Sequence, residues 1–188
     1  MVMRSAPWIV GILLAPALGS ASDGPNEFDV TQFGAACNWD GRTGIDDSTA
    51  IQAAISAASK VGGTVLIPRA CRIDRPLLLK VPVALRGVGM RTSTLVAGAP
   101  MPTMIEVAEI RPGSNDYFEF ADFELRGNGN VKNGVRALTI SHSKFNRIKV
   151  SGTSVHALWI GWGWCNDIVD VTITSNRGSP QLQMGSLS

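Results

Sequence analysis

Trp159-Ile160-Gly161-Trp162-Gly163-Trp164 sets three indoles within six residues. Indole faces stack on the apolar faces of sugar rings, and the ring N–H can donate to a hydroxyl. Trp159 is expected inside the fold. Trp162 and Trp164 are left with two readings: candidate substrate-binding residues, or covers for a corner of the backbone. Paired carboxylates are the next chemistry to look for, because two of them can divide acid and base or nucleophile roles. Asp167 and Asp170 are an acidic pair three residues apart in the strand-rich half of the chain. His142 and His156 join no nucleophile–base–acid arrangement, so no catalytic set is assigned. Cys37, Cys71 and Cys165 lack metal-ligand spacing, and no cofactor is evident from the residues.

The elements that must carry these groups announce themselves by repetition. Phe120-x-x-Phe123-x-Leu125 returns as Phe145-x-x-Ile148-x-Val150 and again as Ile168-x-x-Val171-x-Ile173, at offsets of 25 and then 23 residues. In the same register Glu119 aligns with Lys144 and Asp167, Asp122 with Arg147 and Asp170, and Glu124 with Lys149 and Thr172. Parallel strands stacked about 4.8 Å apart would make these opposite charges direct neighbours. Asp167 and Asp170 are thereby explained as rungs of a surface charge ladder. Tyr117, His142 and Cys165 form a further column, in which Cys165 is expected to be buried. A repeat of this length, rich in strands, predicts one coil of a parallel β-helix per copy.

The remaining pattern agrees. Phe28 to Gly34 alternates as a strand does, and 22–27 reads as a lead-in. Ile51, Ala54, Ile55 and Ala58 mark one helix over 48–60, which Asp46 or Asp47 can cap and Gly62-Gly63 ends. Short strands punctuated by turns follow, with at least two strands per coil. The helix is expected to cover the apolar end of the coil. The expected domain runs over 28–176 with a flexible tail at 177–188. No linker suggests a second domain.

Of the 188 residues 45% are hydrophobic, and the formal charge is only +2. This gives no electrostatic footprint for nucleic acid. Residues 1–21 read as a secretory signal: Arg4, the apolar run Trp8–Ala15, then Gly19-Ser20-Ala21 as a small-x-small cleavage site. The run is far short of the ~20 residues that span a bilayer. Export to the periplasm or beyond is the expectation. There Cys37 and Cys71 either bond, closing a loop of about 35 residues for about 3–4 kcal/mol, or stay as buried thiols.

Val30-Thr31-Gln32-Phe33-Gly34-Ala35, Asp40-Gly41, Asp46-Asp47-Ser48-Thr49-Ala50-Ile51-Gln52-Ala53-Ala54-Ile55 and Gly62-Gly63-Thr64-Val65-Leu66-Ile67-Pro68 form a composite signature. With it the segment Phe28–Ile73 resembles the opening of the pectate-lyase-like right-handed parallel β-helix proteins, the group of rhamnogalacturonase and epimerase relatives. The resemblance implies a secreted carbohydrate-active protein of the lyase, hydrolase or epimerase type, with acidic or complex polysaccharide as its partner. Ca²⁺ enters by this resemblance alone, since such lyases hold it on acidic clusters. Arg147-Ile148-Lys149 spells a tripeptide found in polygalacturonase active sites, which makes Arg147 a candidate substrate-binding residue. The carboxylate and Gly-His-Gly motifs that precede it there are missing here. Relatives run to more coils, with catalytic carboxylates on the later ones, so this chain is expected to be a shortened member. The alternative is a non-catalytic β-helix that binds glycan or a protein. The intact mass of the exported protein should lack residues 1–21; a retained leader would contradict the signal reading.

Overall fold

Every strand pairing among the described residues is parallel, and the pairings sort into three stacks. The structure is a computed structural model, and it describes residues 26–108, 116–174, 176–177 and 182–185. The expected signal segment and most of the lead-in lie outside these residues.

The first stack holds β1 (Glu27–Asp29), β2 (Thr64–Ile67), β5 (Ala84–Gly87), the starts of β8 (Glu119–Thr139) and β9 (Lys144–Trp162), and β10 (Asp167–Val169). The second holds β3 (Ala70–Ile73), β6 (Thr94–Ala97), the next parts of β8 and β9, and β11 (Thr172–Thr174). The third holds β4 (Leu77–Leu79), β7 (Thr103–Val107), the ends of β8 and β9, and β12 (Leu182–Met184). From β2 onward the chain visits the stacks in that order, so each of these passes carries three strands. β12 lies in the stretch expected to be loose, and pairs with β9 through Leu182↔Leu158 and Met184↔Ile160.

Alternation in each short strand turns one set of side chains inward, and register piles these sets into columns. Phe28, Val65, Leu85, Phe120, Phe145 and Ile168 are successive partners in the first stack. Cys71, Leu95, Leu125, Val150 and Ile173 follow one another in the second. Leu77, Ile105, Val135, Leu158 and Leu182 do so in the third. The rings of Phe120 and Phe145 are 4.9 Å apart and nearly parallel, and both are fully buried. The pile expected from the sequence is therefore present.

The corners repeat as faithfully as the columns. Asp122, Arg147 and Asp170 all take positive φ (63°, 49° and 52°) as single residues between the first and second stacks. Tyr117, His142 and Cys165 do the same ahead of the first stack (66°, 49° and 54°). An L-residue in this region costs about 1–2 kcal/mol. Recurrence in three successive coils shows that the bend is demanded by the packed strands on either side. The charge ladder stands on these corners. Arg147 forks onto Asp122 at 2.6 and 2.8 Å, and Asp170 adds its attraction from the next coil.

Local differences from expectation have local causes. The strand expected over Phe28–Gly34 stops at Asp29, whose Oδ1 accepts from the Thr31 amide and hydroxyl and starts a short 3₁₀ helix, Val30–Phe33. Such side-chain bonds compete with a ladder. The helix α1 (Ser48–Ala58) ends two residues before the expected Lys60, and Gly62 follows at φ +65°. Its two preceding acids divide the labour. Asp46 accepts from Ser48, while Asp47 caps nothing on the helix and instead takes the Ala36 and Cys37 amides at 2.6 and 3.0 Å. Gln52 on α1 bonds both the amide and the carbonyl of Leu78 in β4. Cys37 and Cys71 are joined, so of the two readings the bridge is the one observed. Cys165 corrects its expectation: it is exposed, because the corner conformation turns it away from the core.

Phe145→Ala should cost about 3–5 kcal/mol, as expected for a fully buried ring with stacked neighbours on both sides. The urea midpoint is the measurement, and an unchanged midpoint would contradict the column.

Candidate functional site

The indole segment falls where the third stack gives way to the first. Leu158 and Ile160 hold the inward positions of β9, so Trp159 between them must face out. This corrects the expectation that Trp159 lies inside. It is half-buried, with the Arg136 guanidinium 4.9 Å from its ring centre, and Arg136 is also paired with Glu106. Beside this group, Nδ1 of His156 lies 3.0 Å from Oδ1 of Asn133.

Trp162 and Trp164 are exposed, at 58% and 55%. Gly163 between them is required by contact: a Cβ there would lie 1.7 Å from the Ile140 carbonyl oxygen. The backbone is thus pressed against the preceding coil while both indoles stay outside. Tyr117, 70% exposed, stacks on His142 with ring centres 5.4 Å apart, and Trp164 meets the His142 ring edge-on at 6.4 Å. Three rings from successive coils thereby form a strip along one corner. Nδ1 of His142 is buried without a hydrogen bond, 3.8 Å from the Asp116 carboxylate. The column Tyr117–His142–Cys165 was visible in the sequence, but its outward direction was not.

Arg147 stands apart from these rings, at the opposite end of the short strand segment that begins at Lys144. With both carboxylate oxygens of Asp122 already on its guanidinium, it is committed to the ladder. The structure therefore brings Trp162 and Trp164 to one corner and leaves Arg147 at another.

A second polar concentration lies on the outer face of the second stack. Thr94, Glu124, Lys149 and Thr172 are successive register partners there. Glu124 is 3% exposed, and its carboxylate is met by Arg126 at 2.9 Å, Ser151 at 3.0 Å and Lys149 at 3.3 Å. Burial alone would raise its pKa, but these bonds and charges outweigh burial and hold the carboxyl below its ordinary value. Met90, Arg91, Glu124, Arg126, Lys149 and Thr172 line a groove of about 390 Å³ around it. The sequence repeat pairs Glu124 with Lys149, and Arg126 lies in the next outward row opposite Ser151, yet Arg91 lies outside the repeated columns and has no signal. A larger depression of about 560 Å³ runs along α1, lined by Gln52, Ser56, Lys60 and Lys80 among others. Its lining holds no carboxylate or imidazole and offers no acid–base pair.

Among the described residues, one group has the spacing to hold a metal: Cys37, Asp47 and Cys71. With its sulfurs joined, it presents one carboxylate, whereas Ca²⁺ takes six to eight oxygens. That group does not fit a calcium ion. Asp47 is instead committed to backbone amides, and burial pushes its pKa up.

No protein-family model and no curated protein matches the sequence. Solved structures do match. The A-module of the Azotobacter vinelandii mannuronan C-5 epimerase AlgE6 superposes with a TM-score of 0.65 at 23% identity, over 79% of this chain and 44% of that one. The AlgE4 A-module gives 0.61 and 23%, over 79% and 50%. The chain shares the pectate-lyase-like parallel β-helix fold. A Geobacillus virus E2 protein, ORF18, gives 0.60 and 22%, over 73% and 31%. The chain thus spans half or less of the length of each of these structures. No helix among the described residues is long and apolar enough to cross a membrane.

Glu124→Gln tests the buried acid. A carboxylate with a depressed folded-state pKa stabilises above its unfolded value, and this is lost as pH falls through the folded value. The variant should be less stable than wild type at pH 7 by about 1–3 kcal/mol. Urea midpoints should converge as the pH drops below about 4.3, the ordinary glutamate value.

Proposed function

We propose that the protein is a secreted, carbohydrate-active right-handed β-helix of the lyase, hydrolase or epimerase type, which acts on acidic or complex polysaccharide. The observation that carries this reading is the strip of rings at one corner, exposed Tyr117 and Trp164 with half-buried His142 between them and exposed Trp162 beside it. A monomeric protein in water gains nothing from holding such rings outside, and sugar faces are their natural counterpart. Trp162 and Trp164 are the sugar-stacking residues in this reading. The rings belong to successive coils, so a glycan chain lies along the stack. Arg147 flanks the next corner, where its exposed side can meet an acidic substituent while Asp122 holds it in place. α1 covers the first coil, and the bonds from Gln52 to Leu78 support that role. The fold shared with proteins described as mannuronan epimerases is consistent with a uronate-containing substrate.

A second reading has its own support. Asp122 and Glu124, the acids best placed on the outer face, are both ion-paired, and a committed carboxylate is a poor general acid or base. On this reading the protein is a non-catalytic β-helix that binds glycan through the same rings.

Replacing Trp162 and Trp164 together by Ala should weaken oligosaccharide binding about tenfold, given roughly 0.5–1.5 kcal/mol per stacked ring. Thermal stability should change little, since exposed substitutions are usually within about 0.5 kcal/mol. Calorimetric titration with oligomers of pectate, alginate and rhamnogalacturonan, with a melting curve, is the measurement. Unchanged affinity with a large stability loss would assign these rings to packing. Formation of unsaturated uronate or reducing ends during the same titration separates the catalytic reading from the binding one.

A further inference from the structure

We propose that the groove over the second stack is a subsite for the carboxylate of an acidic sugar, and that Arg91 is the residue that takes the anion. The inference deepens the polysaccharide reading and rests on it. The groove is lined by three cations, Arg91, Arg126 and Lys149, against the single carboxylate of Glu124. Arg126 and Lys149 both point onto that carboxylate. Glu124 is buried, and a buried charge keeps its partners because leaving it bare is costly. Those two cations are therefore fixed in place, and their directions are set from below. Arg91 is different. It is exposed, and among the described residues it has neither ion pair nor hydrogen bond.

The groove consequently presents a surplus of positive charge with one guanidinium free to close on a ligand. A planar guanidinium matches a carboxylate through two parallel N–H donors. The volume of about 390 Å³ lies within the range of small-ligand sites, about 300–1,000 Å³. Thr172 adds a hydroxyl, and Met90 an apolar edge against which a sugar face can rest. An extended polymer can reach this place because the row Thr94–Glu124–Lys149–Thr172 crosses four coils in register. Nucleic acid is a worse occupant, since the groove has no aromatic face for bases and the whole chain carries only +2. Glu124 is here a positioning residue: it orients Arg126 and Lys149.

The test uses the full chain, titrated calorimetrically with hexagalacturonate, its fully methyl-esterified form and hexamannuronate at low and moderate salt. Arg91→Gln should weaken binding of the acidic hexamers about fivefold, the upper end for one exposed charge pair, and reduce the salt dependence. It should leave the ester and the melting temperature unchanged, and Arg91→Lys should recover part of the loss. Equal affinity of wild type and Arg91→Gln for the acidic hexamers would overturn the subsite. If that binding still fell in the Trp162, Trp164 double variant, the polysaccharide reading would survive alone. An equal loss for acid and ester in Arg91→Gln would also overturn the subsite, since the ester carries no charge. Failure of wild type to bind any of the three would remove both.

Discussion

Register is the constraint on which the rest of this structure depends. Each segment of strand within a stack is only a few residues long, far too short to be stable alone. It persists because its inward residue lands on the inward residue of the strand before and the strand after. Phe120 on Phe145, Leu95 on Leu125 and Val135 on Leu158 are one interaction made three times around each coil. A slip of one residue would turn the apolar set outward. It would also break the opposite-charge neighbours where Glu119, Lys144 and Asp167 now alternate. Hydrophobic and electrostatic demands thus specify the same alignment. That agreement lets corners with unfavourable φ recur.

The same constraint creates the outer surface. Inward columns use up half of each strand, and the other half is repeated on the outside at the spacing of adjacent strands. Single residues become rows: rings at the Tyr117–His142 corner, charges at the Asp122–Arg147 corner, a buried acid with its cations over the second stack. A repetitive ligand meets a repetitive surface, which is the physical reason such folds suit polymers. Glu124 shows how an outward residue can become buried. Arg126 and Ser151, from the next outward row, and Lys149, from the adjacent coil, close over it.

The architecture was legible because its signal is redundant. Three aligned copies, each with charges of the right sign, determine pairing partners down to the residue. The helix was equally clear from Ile51, Ala54, Ile55 and Ala58. What the sequence could not convey was direction at the corners. Residue type favours an inward place for Cys165 and Trp159, yet a left-handed corner and the alternation set by Leu158 and Ile160 turn them out. The early strand was misread for a similar reason, because Asp29 bonds locally and its pattern of apolar residues carries no trace of that. Arg91 was invisible because it belongs to no repeated column; only the fold brings it beside Glu124.

The corners differ from coil to coil in how much chain they hold. Between the first and second stacks the chain turns on one residue in three coils, Asp122, Arg147 or Asp170, whereas residues 88–93 fill the same corner between β5 and β6. Between the second and third stacks the pairing shifts from Arg126↔Ser151 to Val131↔Thr153, so one coil carries extra residues there and the rungs beyond it realign. Either corner can accordingly lengthen in one coil while the strands on both sides stay in register. New loops, and with them new specificities, can be grafted beside Gly127–Asn130 without disturbing the pile.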